Sequence, residues 1–178
     1  MMQIRLATLA DIPALNEVIR ESVGVLSRNY YSPEQIAKAL VHVFGVDTQL
    51  ILDGTYFIAE SEDEIAGCGG WSKRKTLFGG DQSKSASVDQ LLDPTTDAAR
   101  IRAFYVHPCW ARKGVGALVL NACENAARAA GFTRVELIAT LPGEPFYLAA
   151  GYSKLEPFEI VLPDAPALPA FKMEKRFP

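Results

Sequence analysis

With 178 residues, 49% of them hydrophobic and 22% charged, the chain has enough apolar material for one buried core and reads as a single domain over 1–178. Lysine and arginine total 18 against 21 for aspartate and glutamate, so no basic excess points to nucleic acid or to an anionic membrane as a partner. No run of about eighteen apolar residues is present, which predicts a soluble, cytoplasmic protein, and Cys68, Cys109 and Cys123, with only His42 and His107 beside them, fit neither a disulfide framework nor a metal site.

Gln3 to Ala7 reads as a short first strand. Asp11 as a cap and Pro13 in the first turn then open a helix that carries Ile12, Leu15, Val18, Ile19 and Val23 on one face and runs to about Ser22. The polar and aromatic segment Ser27-Arg28-Asn29-Tyr30-Tyr31 leads to Ser32-Pro33-Glu34-Gln35, which has the form of a capping box, and to a second helix with Ile36, Ala39, Leu40 and Val43. From Gln49 the pattern turns extended. Tyr56 to Glu60 and Glu64 to Ser72 predict an antiparallel hairpin across the acidic turn Ser61-Glu62-Asp63. Glycines at 67, 69 and 70 weaken a strand interior, so they mark a bulge or a place where a ligand passes close to the backbone. Residues 76–98 form a long irregular connection, placed to fold over a site.

Arg100 to Val106 has the β-branched and aromatic content of a strand, closed by His107-Pro108 because proline gives a sheet no amide hydrogen. After Trp110-Ala111-Arg112-Lys113-Gly114-Val115-Gly116-Ala117, apolar residues Val119, Ala122, Cys123, Ala126 and Ala130 recur at helical spacing until Gly131. A helix that begins Gly-x-Gly behind two cations offers free amides and a positive dipole end to an anion, and phosphate is the natural guest. A P-loop would need Gly-Lys-Ser/Thr, and a dinucleotide fingerprint a third glycine where Val119 stands. A turn that needs glycine only for its backbone is the plainer alternative. Beyond Gly131, Arg134 to Thr140 is a strand, Leu141-Pro142-Gly143 turns into a short helix holding Tyr147, and Phe158 to Leu162 with Ala170 to Phe177 predicts a final hairpin with a loose proline-rich loop.

Val106-His107-Pro108, the run Arg112 to Ala117, and Pro145-Phe146-Tyr147-Leu148-Ala149-Ala150-Gly151-Tyr152 resemble the GCN5-related N-acetyltransferases, the GNAT superfamily. The resemblance implies an α/β (α+β) fold in which about six to seven strands form a mixed, mostly antiparallel sheet flanked by about four helices. Two splayed central strands would leave a cleft between Tyr105 and Ile138. It implies acetyl-CoA as co-substrate, its pyrophosphate on Arg112, Lys113, Gly114, Val115, Gly116 and Ala117, and its pantetheine arm on the main chain of Phe104, Tyr105 and Val106. Tyr147 would then protonate the leaving thiolate, since a phenol of pKa about 10 stays protonated at neutral pH. Glu136 resembles in position the glutamate base of some ribosomal-protein acetyltransferases of the superfamily; the plainer reading is a structural strand residue, with Glu144 or water taking the proton. Tyr30 and Tyr31, between the first two helices, and Trp71, at the end of the hairpin, are candidates to contact the acceptor or else to pack the fold. The acceptor is a small-molecule amine or a protein N-terminus, and a homodimer is an expectation that the superfamily carries. The alternative from another class is a non-catalytic acyl-CoA-binding sensor or interaction domain.

Overall fold

The computed structural model describes residues 1–84 and 89–178. Its strands are β1 (Gln3–Leu6), β2 (Tyr56–Ser61), β3 (Glu64–Ser72), β4 (Ala99–Val106), β5 (Arg134–Thr140), β6 (Ser153–Leu162) and β7 (Ala165–Arg176). The α-helices among the described residues are α1 (Ile12–Leu26), α2 (Pro33–His42), α3 (Thr48–Leu52), α4 (Val115–Ala129) and α5 (Glu144–Ala149). All seven strands join one sheet in the order β1-β2-β3-β4-β5-β7-β6. Every neighbouring pair is antiparallel except β4 and β5, so the sheet is mixed and mostly antiparallel, as the sequence predicts. Among the described residues no helix is long and apolar enough to cross a membrane.

Each face of the sheet is closed by helices. On one, Val119, Leu120, Cys123 and Ala127 of α4 pack on Ala66, Ile101, Val135 and Leu137. On the other, Leu15, Ile19 and Val23 of α1 cover Tyr56, Ile58 and Cys68, while Ala39 and Val43 at the end of α2 meet Ile160, Leu168 and Ala170 of the β6–β7 hairpin. The capping box of α2 forms as read: Gln35 N–H donates to the Ser32 hydroxyl at 3.1 Å, and Ser32 N–H donates to the Gln35 side chain at 2.9 Å.

What positions a site is the junction of the two central strands. β4 and β5 pair only through Ala99 with Val135 and Arg100 with Glu136. Beyond that point β4 stays with β3 and β5 stays with β7, so the sheet opens into a V between Tyr105 and Ile138. The bulge expected from the glycine cluster is present, but the extra residue lies on β4: the pairing jumps from Cys68–Tyr105 to Gly70–Arg102, and Ala103 takes a φ of 50°. Gly69 stands opposite, and any side chain there would collide with the Phe104 ring. The bulge also reverses the side-chain parity. Ile101 and Phe104 both face α4, whereas Ala103 and Tyr105 face the α1 side.

Three expectations are corrected. The stretch read as extended from Gln49 begins with α3, because the Asp47 carboxylate accepts from Gln49 N–H at 3.0 Å and caps a helix whose Leu50 and Ile51 are buried. Helix α1 continues to Leu26, past Ser22. The terminal hairpin has no loose loop; β6 and β7 are long and turn at Pro163-Asp164, with Asp164 at φ 54°. Pro166 and Pro169 sit within β7 at no loss, since β5 ends opposite Ala170 and the missing amides have no strand to serve. The 76–98 connection, of which 85–88 lie outside the described residues, docks on the α2–α3 corner through Gly80 N–H to Val43 O (2.7 Å) and Asp81 N–H to Val46 O (3.0 Å).

Candidate active site

His107-Pro108 ends β4, and the chain turns through Pro108–Trp110, where the His107 Nδ1 accepts from Cys109 N–H at 3.2 Å. The next turn places Arg112 at φ 62° and Gly114 at φ 83°. No side chain caps α4, and its first described backbone bond is Leu118 N–H to Gly114 O at 3.0 Å. The amides of Val115, Gly116 and Ala117 therefore have no helical acceptor, and they lie at the positive end of the α4 dipole. Arg112, Lys113 and Gly114 are exposed around them. The two glycines are needed for different reasons. A Cβ on Gly114 would meet nothing within 4 Å, so its left-handed backbone is the constraint, whereas a Cβ on Gly116 would stand 3.1 Å from the Phe146 ring. Lys113 carries its Nζ 5.2 Å above the Trp110 ring.

An aromatic cluster ties this turn to Tyr147. Phe104 on β4 stacks on Phe146 of α5 at 5.8 Å and meets Tyr147 edge-on at 6.1 Å; Tyr147 in turn contacts Phe146 at 5.1 Å and Tyr152 at 5.5 Å. The strand and the glycine turn that follows it thus share one wall of the V with Tyr147, which comes later in the chain on α5. Backbone register supplies a further donor. His107 N–H donates to Ala66 O, so in this antiparallel ladder Val106 forms a non-bonded pair with Gly67 and turns its N–H away from β3, into the gap.

Tyr147 is 8% exposed. Burial pushes its phenol well above the ordinary tyrosine value, and the nearby Cys123 thiol adds to this. The hydroxyl is protonated at neutral pH and available as a donor. On the opposite face of the sheet a groove of ≈ 430 Å³ runs between α1 and α2, with Phe44, Gly45 and Val46 in its wall.

Residues 26–152 match the acetyltransferase (GNAT) family. The chain belongs to that family. Solved structures of similar fold include the PaiA N-acetyltransferase of Thermoplasma acidophilum in complex with coenzyme A, at 17% identity over 99% of both chains with a TM-score of 0.68. A GCN5-related N-acetyltransferase from Rhodopseudomonas palustris is 18% identical over 98% of this chain and 95% of its own, with a TM-score of 0.71. The ribosomal-protein-S18-alanine N-acetyltransferase of Escherichia coli is 13% identical over 99% and 94%, with a TM-score of 0.63. No curated protein matches the chain.

Not all the predicted residues of this GNAT chain meet in the V. Glu136 is 9% exposed and lies where β4 and β5 are still paired, at the closed end. Its carboxylate is engaged in ion pairs with Arg100 at 2.8 Å and Lys172 at 3.5 Å, with Arg134 at 4.0 Å. Trp71 packs in the core, 6% exposed and edge-on to Phe132 at 6.0 Å on the α4 side. Tyr31 is buried; its hydroxyl donates to Pro169 O at 2.7 Å and accepts from Leu141 N–H at 2.9 Å, pinning the α1–α2 corner to the β5 and β7 ends. Tyr30 is half exposed beside it. Glu144 is paired with Lys154.

Sequence reading missed Asp47 and Arg102. Arg102 projects from β4 on the face opposite α4, where its Nη1 meets the Asp47 Oδ2 at 2.6 Å with side chains 1% and 0% exposed. Lys84 also reaches Asp47, and Arg102 donates to Gly79 O, so the pair clamps the 79–84 segment over the α2–α3 corner. Only the clustering of polar residues in the third dimension reveals this, since Asp47 and Arg102 lie on elements far apart in the chain.

Proposed function

We propose that this protein transfers an acetyl group from acetyl-CoA directly to a primary amine. One observation carries the reading: an uncapped helix N-terminus behind Gly114 and Gly116 stands on the same wall of a split sheet as an unbonded Val106 amide and a buried, protonated Tyr147. The free amides of residues 115–117 with Arg112 and Lys113 hold the pyrophosphate, while Gly116 lets the start of α4 sit against the Phe146 ring. The main chain of Phe104, Tyr105 and Val106 lies along the pantetheine arm. Acetyl-CoA supplies an acyl carbon activated as a thioester.

The Val106 N–H donates to the carbonyl oxygen as negative charge gathers there. The amine nitrogen forms the new C–N bond, the C–S bond breaks, and Tyr147 gives its proton to the sulfur. With Glu136 held by Arg100 and Lys172, and Glu144 by Lys154, water takes the proton that the amine releases and returns one to Tyr147. The protein works as a soluble cytoplasmic enzyme of one domain. The test is thiol release with acetyl-CoA and a panel of amines, alongside calorimetric binding. Tyr147→Phe should lower kcat by about 10²-fold with the affinity for acetyl-CoA unchanged. Binding without turnover of any amine would make the protein an acyl-CoA sensor instead.

A further inference from the structure

Six partly buried apolar side chains converge where the central strands part, on the face opposite α4: Phe44, Phe78, Tyr105, Ile138, Leu141 and Phe158. Phe44 stands edge-on to Tyr105 at 6.3 Å and 72°, and packs against both the α1 and the α2 cores, so it spans the space between them. From the other bank, Phe158 of β6 meets Phe78 edge-on at 5.5 Å and 74°, which brings the docked loop across from the β4 side to the β6–β7 hairpin. Tyr105 neighbours Val106, whose N–H faces the gap, so these rings continue directly into the reacting end of the V.

The charged groups packed beside the rings are already engaged. Asp47 holds Arg102 and Lys84, Glu136 holds Arg100 and Lys172, and Asp81 accepts from Thr48 N–H at 2.9 Å. Arg102 is committed to Asp47 and Gly79. A charged or strongly polar substrate body would give up its water here with none of these groups to replace it, while an apolar ring would gain by covering surface the fold leaves part exposed.

We infer that the acceptor is a primary amine carried on an apolar, aromatic body, of the arylalkylamine type. This rests on the N-acetyltransferase reading above, and the experiment separates the two. Calorimetry with acetyl-CoA tests the shared foundation. Thiol release then compares 2-phenylethylamine and tryptamine with putrescine, spermidine and a hydrophilic peptide bearing a free N-terminal alanine. The expected result is binding of acetyl-CoA together with kcat/KM at least about tenfold higher for the aromatic amines. Phe78→Ser and Phe158→Ser should each reduce the ratio of aromatic to aliphatic kcat/KM by about tenfold. That ratio is independent of the fraction of enzyme folded, so a destabilised variant still reports. Binding of acetyl-CoA with preference for the polyamines or the peptide, or an unchanged ratio in both variants, overturns the substrate class and leaves the acetyltransferase reading standing. Failure to bind acetyl-CoA overturns both.

Discussion

Replacing Asp47 by alanine leaves the Arg102 guanidinium, 1% exposed, without its carboxylate, because the docked 79–84 segment seals it from water. Removing one partner of a buried ion pair destabilises by about 3–5 kcal/mol. A protein of this size loses about 2–4 °C of Tm per kcal/mol, so Asp47→Ala should unfold about 6–20 °C lower. Asp47 also caps α3 through Gln49 N–H, a contribution of about 1 kcal/mol that Asp47→Asn retains. Differential scanning calorimetry of both variants separates charge from cap, and the asparagine variant, which restores only the cap, should recover only the smaller part of the loss. In the double variant Asp47→Leu plus Arg102→Leu no fully buried charge is stranded, since Lys84 is part exposed, so more than half of the lost Tm should return. If Asp47→Ala shifts Tm by less than about 2 °C, Arg102 is hydrated and the loop does not seal it.

Two further outcomes follow from buried and paired titratable groups. Cys68 and Cys123 are both 0% exposed, and burial pushes the Cys68 thiol up to about 12 and raises that of Cys123 as well, whereas Cys109 is exposed. Ellman's reagent at pH 8 should therefore titrate one thiol per native chain and all three in guanidinium; rapid labelling of all three in the native protein would contradict the core packing described. Asp11 is held below the usual carboxylate range chiefly by its hydrogen bonds to Arg5, and Asp53 by those to Arg74. A depressed carboxylate stabilises the fold above its unfolded pKa of about 4 and loses that contribution as pH falls through its lower folded value. The Tm should drop between pH 5 and pH 2.5, and Asp11→Asn and Asp53→Asn should each drop less over that interval; equal drops would refute the assignment.

The β4–turn–α4 unit was legible because its signals are local. A β-branched strand stopped by Pro108, Gly114 at an obligatory left-handed turn and a three-to-four spacing along α4 each act within a few residues, and the structure reproduces them. Helix α3 was misread because Leu50, Ile51 and Leu52 alone look like a strand, and the Asp47 cap outweighs that pattern. The prolines of β7 read as loop residues because what permits them, the end of β5 opposite Ala170, is a property of the neighbouring strand.

By itself, then, the sequence determined most of the order of strands and helices, the glycine turn before α4 and the short helix that carries Tyr147, since propensity, capping and glycine conformation are decided by near neighbours. Only the tertiary structure decided which side chains of the site are free to act. Glu136 and Arg100 are 36 residues apart and become partners only because β4 and β5 run parallel before they part. Whether the Val106 amide faces a strand or a cleft, and whether Trp71 faces solvent or core, depends on register and on a one-residue bulge at Ala103. Those are set by how the whole sheet packs against its helices, and no stretch of chain shorter than the fold contains that information.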